Sequence, residues 1–95
     1  MATVAPGDYI SSHLHPYSEE FVFLVRGALR CDLGDESVDL AAGEGLLVPE
    51  NTPHRLVNTG TVEAFLVFHL GPLAPRPELG HIDLEEHTDR REVRS

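Results

Sequence analysis

Apolar residues in this chain come in short runs, interrupted every few positions by Gly, Pro, Asn or Asp. Runs of this length, rich in β-branched and aromatic residues, predict strands over residues 2–5, 9–12, 21–26, 28–33, 37–40, 45–48, 54–58 and 64–70. The breaks fall at Pro6-Gly7, Gly27, Gly34-Asp35, Gly43, Pro49-Glu50-Asn51 and Thr59-Gly60, residue types that supply turn geometry. No window repeats with a helical period. Many short strands at this spacing predict an all-β chain, folded as an antiparallel double-sheet sandwich or barrel.

Side chains alternate across a strand, so Glu20, Val22, Leu24 and Arg26 share one face and Phe21, Phe23 and Val25 share the other. A strand apolar on both faces is expected to be covered on both. In a chain of 95 residues the second cover is expected to be another copy, which predicts a homodimer. After Leu70 the alternation stops. The run Gly71-Pro72-Leu73-Ala74-Pro75-Arg76-Pro77 cannot form the interior of a ladder and is expected to cross the surface. Residues 85–95 are highly charged and are expected to be loose. The predicted organisation is a barrel over residues 1–71, then an extended segment and polar tail over residues 72–95.

A formal charge of −9 argues against nucleic acid and against anionic membranes, since both need a positive patch. Cys31 is the single cysteine, so no intramolecular disulfide is available and the cytoplasm is the default compartment. Residues 1–9 have neither the basic nor the apolar part of a signal peptide, and no run approaches the roughly 18 apolar residues of a membrane span.

The chemistry lies in two turn-bounded groups. The first reads Gly7-x5-His13-x-His15-x4-Glu20-x6-Gly27, the second Gly43-x5-Pro49-x-Asn51-x2-His54-x3-Asn58. Residues two apart on an extended strand point the same way, so His13 and His15 are paired, with Tyr9 and Ser11 at the same parity if the strand is regular. Any one of these histidines alone is more often a plain core or surface residue. Together, His13, His15, Glu20 and His54 can close around one divalent transition metal, and three imidazoles with a carboxylate suit zinc, nickel, manganese, iron or copper. Glu19 is the rival for Glu20, but the spacing to Gly27 and strand parity favour Glu20.

These groups resemble the two motifs of the cupins, G-x5-H-x-H-x3,4-E-x6-G and G-x5-P-x-G-x2-H-x3-N. The match departs only at Asn51, which replaces the middle glycine of the second motif and tolerates left-handed backbone. The resemblance covers residues 7–70 and implies a jelly-roll β-barrel with a metal held inside by His13, His15, Glu20 and His54. A narrower resemblance rests on residues 13–21 and 68–81. Both stretches are similar to small single-domain cupins of bacterial aromatic polyketide clusters, among them spore-pigment and tetracenomycin-type polyketide cyclases. This chain starts nearer its first motif than those relatives do. The barrel edge is therefore expected to lack strands or to be completed by a dimer partner.

That likeness implies cyclisation and aromatisation of a poly-β-ketone, an intramolecular aldol followed by loss of water. The substrate would be a small polyketide, free or on an acyl carrier protein. Zinc is the expected ion, with nickel, iron or manganese also suited, acting as a Lewis acid on a ketone oxygen. Val22, Leu24 and Leu56 are expected to line the cavity. His69, on the last strand, is the candidate base, and Tyr9 and Tyr17, with Ser11 and Arg26 behind them, are candidates to position oxygens. Arg26 reads equally well as the partner of an acid at the rim, and His81 and His87 as solvated tail residues. Three histidines and a glutamate also serve an iron or nickel dioxygenase, or a metal- or ligand-binding module without catalysis, and fold alone separates none of these.

Overall fold

The computed structural model describes residues 1–72, 74–76, 79–85 and 92–93. Its strands are β1 (Ala2–Val4), β2 (Tyr9–Leu14), β3 (Glu19–Arg26), β4 (Ala28–Leu33), β5 (Glu36–Ala41), β6 (Gly45–Val48), β7 (His54–Val57), β8 (Ala64–Gly71), β9 (Ile82–Asp83) and β10 (Glu92–Val93). They form two five-stranded antiparallel sheets, ordered β10-β1-β8-β3-β6 and β5-β4-β7-β2-β9. No α-helix occurs among the described residues, and none is long and apolar enough to cross a membrane. This is the all-β, antiparallel double-sheet fold that the strand spacing predicts and the jelly roll that the cupin resemblance implies.

Each sheet turns one face inward. Ala2, Val4, Val22, Leu24, Val48, Ala64 and Leu66 come from one sheet, and Ile10, Leu29, Cys31, Leu40 and Leu56 from the other. Full burial of a Leu or Val side chain is worth about 1.5–3 kcal/mol against exposure, so this seam is the main source of stability. Val22, Leu24 and Leu56 are closed into it; they pack as core rather than line an open cavity. Burial, aided by the charges of Asp32 and Glu20, pushes the Cys31 thiol up to about 12. The native protein is therefore expected to resist iodoacetamide at pH 8 and to be alkylated once unfolded in denaturant. Rapid native alkylation by mass spectrometry would contradict the buried placement.

Two backbone positions fix how the strands meet. Gly27 turns β3 into β4 with a φ of +92°, and a Cβ there would stand 3.0 Å from the Ala64 Cα. Gly45 lies beneath the Phe21 ring, where a Cβ would fall 2.5 Å from its Cζ.

The chain beyond Leu70 differs from expectation. β8 runs on to Gly71, β9 pairs with β2, and β10 pairs with β1. The stretch after Gly71, expected to be an extended surface segment and polar tail, thus supplies an edge strand to each sheet, and both sheets reach five strands. Two-residue strands are too short to show periodicity, so nothing in the sequence marked them. Leu73, Pro77, Glu78 and His87 lie outside the described residues, as does most of the charged tail.

Candidate metal centre

A bulge aims the first ligands. On β2, Ile10 stands opposite Leu56 and His13 opposite His54, so three steps along β2 match two along β7. The extra residue at Ser11–Ser12 lets both Ile10 and His13 face inward. It also breaks the regular parity that would have placed Tyr9 with the histidines. Tyr9 instead faces outward, with the Arg55 guanidinium carbon 4.2 Å from its ring centre.

His15 follows directly after β2. Glu20 is the second residue of β3, where Glu20, Val22 and Leu24 are buried and Glu19 is exposed. His54 opens β7. The turn before it takes a φ of +63° at Asn51, the left-handed conformation expected there, and the Asn51 N–H donates to the His15 carbonyl at 2.9 Å. One motif's turn is thereby fastened to the other motif's ligand.

His13, His15, Glu20 and His54 are all buried, and one ligand atom from each lies within 4.8 Å of the others. Each imidazole is oriented by a backbone carbonyl. His13 Nδ1 contacts Ser11 O at 2.7 Å, His54 Nδ1 contacts Thr52 O at 2.9 Å, and His15 Nδ1 contacts Gly80 O at 2.8 Å. A carbonyl only accepts, so each Nδ1 carries a proton and each neutral ring keeps its lone pair on Nε2.

The chemistry of this donor set fits a cation. His15 Nε2 is buried without a hydrogen bond, 3.5 Å from Glu20 Oε1. His54 Nε2 stands 2.7 Å from the same oxygen. A lone pair facing a carboxylate oxygen at that distance needs a proton or a metal ion between them. Burial, then the neighbouring His54, lowers His13 to about 4, so this ring is neutral at physiological pH. Burial acts most strongly to raise Glu20, yet His15 and His54 together outweigh it and hold the carboxyl down at about 2. Burial likewise opposes a charged His15, but the Glu20 carboxylate and the Gly80 carbonyl raise it.

The candidate catalytic residues are placed elsewhere. On β8, Leu66 and Phe68 pack inward, so His69 faces outward opposite Phe21 and is exposed. Tyr17 is 41% exposed in the turn before β3. Ser11 is buried at the bulge. Arg26 meets Glu63 at 3.4 Å on the surface, the rim pairing expected of it. None of His69, Tyr9 and Tyr17 joins the cluster.

His81 does reach it. Its ring stacks on His13 at 4.6 Å between centroids and 10° between planes, and its Nε2 contacts Asp83 Oδ1 at 2.7 Å. Read from sequence as a solvated tail residue, it is brought in by the pairing of β9 with β2. Its place in the 68–81 stretch was the only signal available.

Asn58, the last motif residue, is structural. Its Nδ2 donates to Val4 O and Val62 O at 2.8 and 2.9 Å, and its Oδ1 accepts from Gly60 N at 2.8 Å.

Residues 1–69 match the model of the cupin domain, and the chain belongs to the cupin family. It is 60% identical over 86 residues to protein SchB of Streptomyces halstedii, covering 90% of this chain and 62% of SchB. It is 53% identical over 85 residues to the polyketide synthase CurC of Streptomyces cyaneus, covering 90% of this chain and 55% of CurC. With the tetracenomycin polyketide synthase protein TcmJ of Streptomyces glaucescens it shares 44% over 82 residues, 86% of this chain and 55% of TcmJ. The chain thus spans about half to three-fifths of the length of these curated relatives. Among solved structures, oxalate oxidase in complex with glycolate superposes with a TM-score of 0.76 at 26% identity, over 86% of this chain and 43% of that one. The TT1209 protein of Thermus thermophilus superposes with a TM-score of 0.70, also at 26% identity, over 74% of this chain and 67% of its own.

Proposed function

We propose that the protein binds one divalent transition metal through His13, His15, Glu20 and His54 and directs cyclisation and aromatisation of a poly-β-ketone in aromatic polyketide biosynthesis. The supporting observation is the buried donor set in a chain 44–60% identical to SchB, CurC and TcmJ, the latter two named for polyketide synthesis. Zinc is the expected ion; nickel, iron and manganese also suit these donors. When bound, the metal supplies Lewis acidity that polarises a ketone oxygen. The chain's part is to fix the ligand rings through Ser11, Thr52 and Gly80 and to hold the substrate, free or on an acyl carrier protein, in one register. A reducing, cytoplasmic setting suits the single buried thiol.

Coexpression with a minimal aromatic polyketide synthase tests this, with products read by mass spectrometry. A shift toward one cyclised aromatic product is expected; an unchanged product pattern would sink the proposal. The likeness to oxalate oxidase favours a second, redox reading. Iron with substrate-dependent oxygen uptake would select it, whereas zinc without oxygen uptake favours the cyclase.

The protein is also proposed to be a homodimer. Phe21, Val25, Leu47 and Val67 stand 38–54% exposed on β3, β6 and β8 of one sheet, leaving apolar surface for a second copy. Light scattering at micromolar concentration is expected to give twice the chain mass, and Phe21→Glu to halve it. A monodisperse wild-type monomer would remove this reading.

A further inference from the structure

We infer that His81, oriented by Asp83, is a substrate-binding residue at the metal cluster, accepting a hydrogen bond from the enol hydroxyl of a β-ketone. This rests on the polyketide reading above and assigns a recognition group within that site.

His81 is a placed residue. Four independent ties hold residues 80–85 against the barrel. Gly80 O accepts from His15 Nδ1 at 2.8 Å. Ile82 and Asp83 pair with Leu14 and His13. Leu84 N donates to Ser12 O at 2.8 Å. Glu85 Oε1 accepts from Ser12 N at 2.7 Å and from Arg55 Nε at 3.0 Å. The last tie uses the bulge, since a carboxylate takes the Ser12 N–H.

The ring's chemistry follows from its neighbours. It stacks on His13 and meets His15 edge-on at 5.3 Å, so one side lies against two of the ligands. Its side chain is 47% exposed, so the rest meets solvent. A small molecule approaching the cluster on that side meets His81. The Asp83 carboxylate accepts from Nε2–H, so in the neutral ring the lone pair lies on Nδ1. Among the described residues Nδ1 has no protein partner. A fixed acceptor beside a Lewis-acid site complements a molecule carrying a ketone oxygen and an enol hydroxyl. An enolised β-ketone has both.

The test compares two probes on the metal-loaded protein by calorimetry. One is 2,4-pentanedione, which enolises; the other is 3,3-dimethyl-2,4-pentanedione, which cannot. His81→Phe keeps a stacking ring and removes the acceptor. It is expected to weaken the enolisable probe by about tenfold, the order of one hydrogen bond, and to leave the other probe within about twofold. Asp83→Ala is the milder variant. Without the carboxylate the ring takes either tautomer, and a smaller selective loss is expected with metal content unchanged. Equal binding of the enolisable probe by wild type and both variants overturns the role of His81 and leaves the function standing. Wild-type protein that binds neither probe overturns the polyketide reading and this inference with it.

Discussion

His54→Ala is expected to strip the metal and lower the melting temperature in the same variant. His54 is 1% exposed, faces Glu20 Oε1 at 2.7 Å, and pairs across the ladder with His13. Its removal leaves the buried Glu20 carboxylate without its nearest imidazole and the metal with three ligands. A ligand at a hundred times its Kd stabilises a fold by about 2.7 kcal/mol, and about 1 kcal/mol moves the Tm of so small a domain by roughly 4–8 °C. A fall of roughly 10–20 °C follows from the lost metal alone. Elemental analysis and thermal unfolding, each with and without chelator, separate the two parts. In chelator, the remaining gap between wild type and variant reports the packing loss. Stoichiometric metal in His54→Ala would refute the ligand assignment.

Asn58→Ala is expected to cost about 3 kcal/mol while leaving the metal bound by the folded fraction, since three hydrogen bonds of this buried side chain are lost at roughly 1 kcal/mol each. Asn58 is 1% exposed and ties the carbonyls of Val4 and Val62 to the amide of Gly60. Guanidinium unfolding measures it. A midpoint unchanged from wild type would show that the motif asparagine acts at the site rather than in the frame.

Eight strands were legible because turn residues cut the chain where the sheets turn, and Glu20 was separable from Glu19 because β3 begins its alternation there. Asn51 could be read as left-handed from its residue type alone. The misplacements have physical causes. A bulge shifts parity without leaving a sequence mark, which turned Tyr9 outward. β8 is apolar on both faces, so alternation could not tell whether Phe68 or His69 points inward. His81 reaches His13 through a two-residue strand 68 positions further on, a contact that no local period encodes.

The pairing of Ala2 with Val93 sets the first and last strands side by side. Joining residue 93 to residue 2 would therefore need only a short linker and no reordering of either sheet, and the exposed turn at Gly34-Asp35, remote from the ligands in sequence, offers a place to open the domain. A permutant of this domain opened at that turn should keep its metal donors, because their spacing depends on the sheets and not on the order in which the strands are joined.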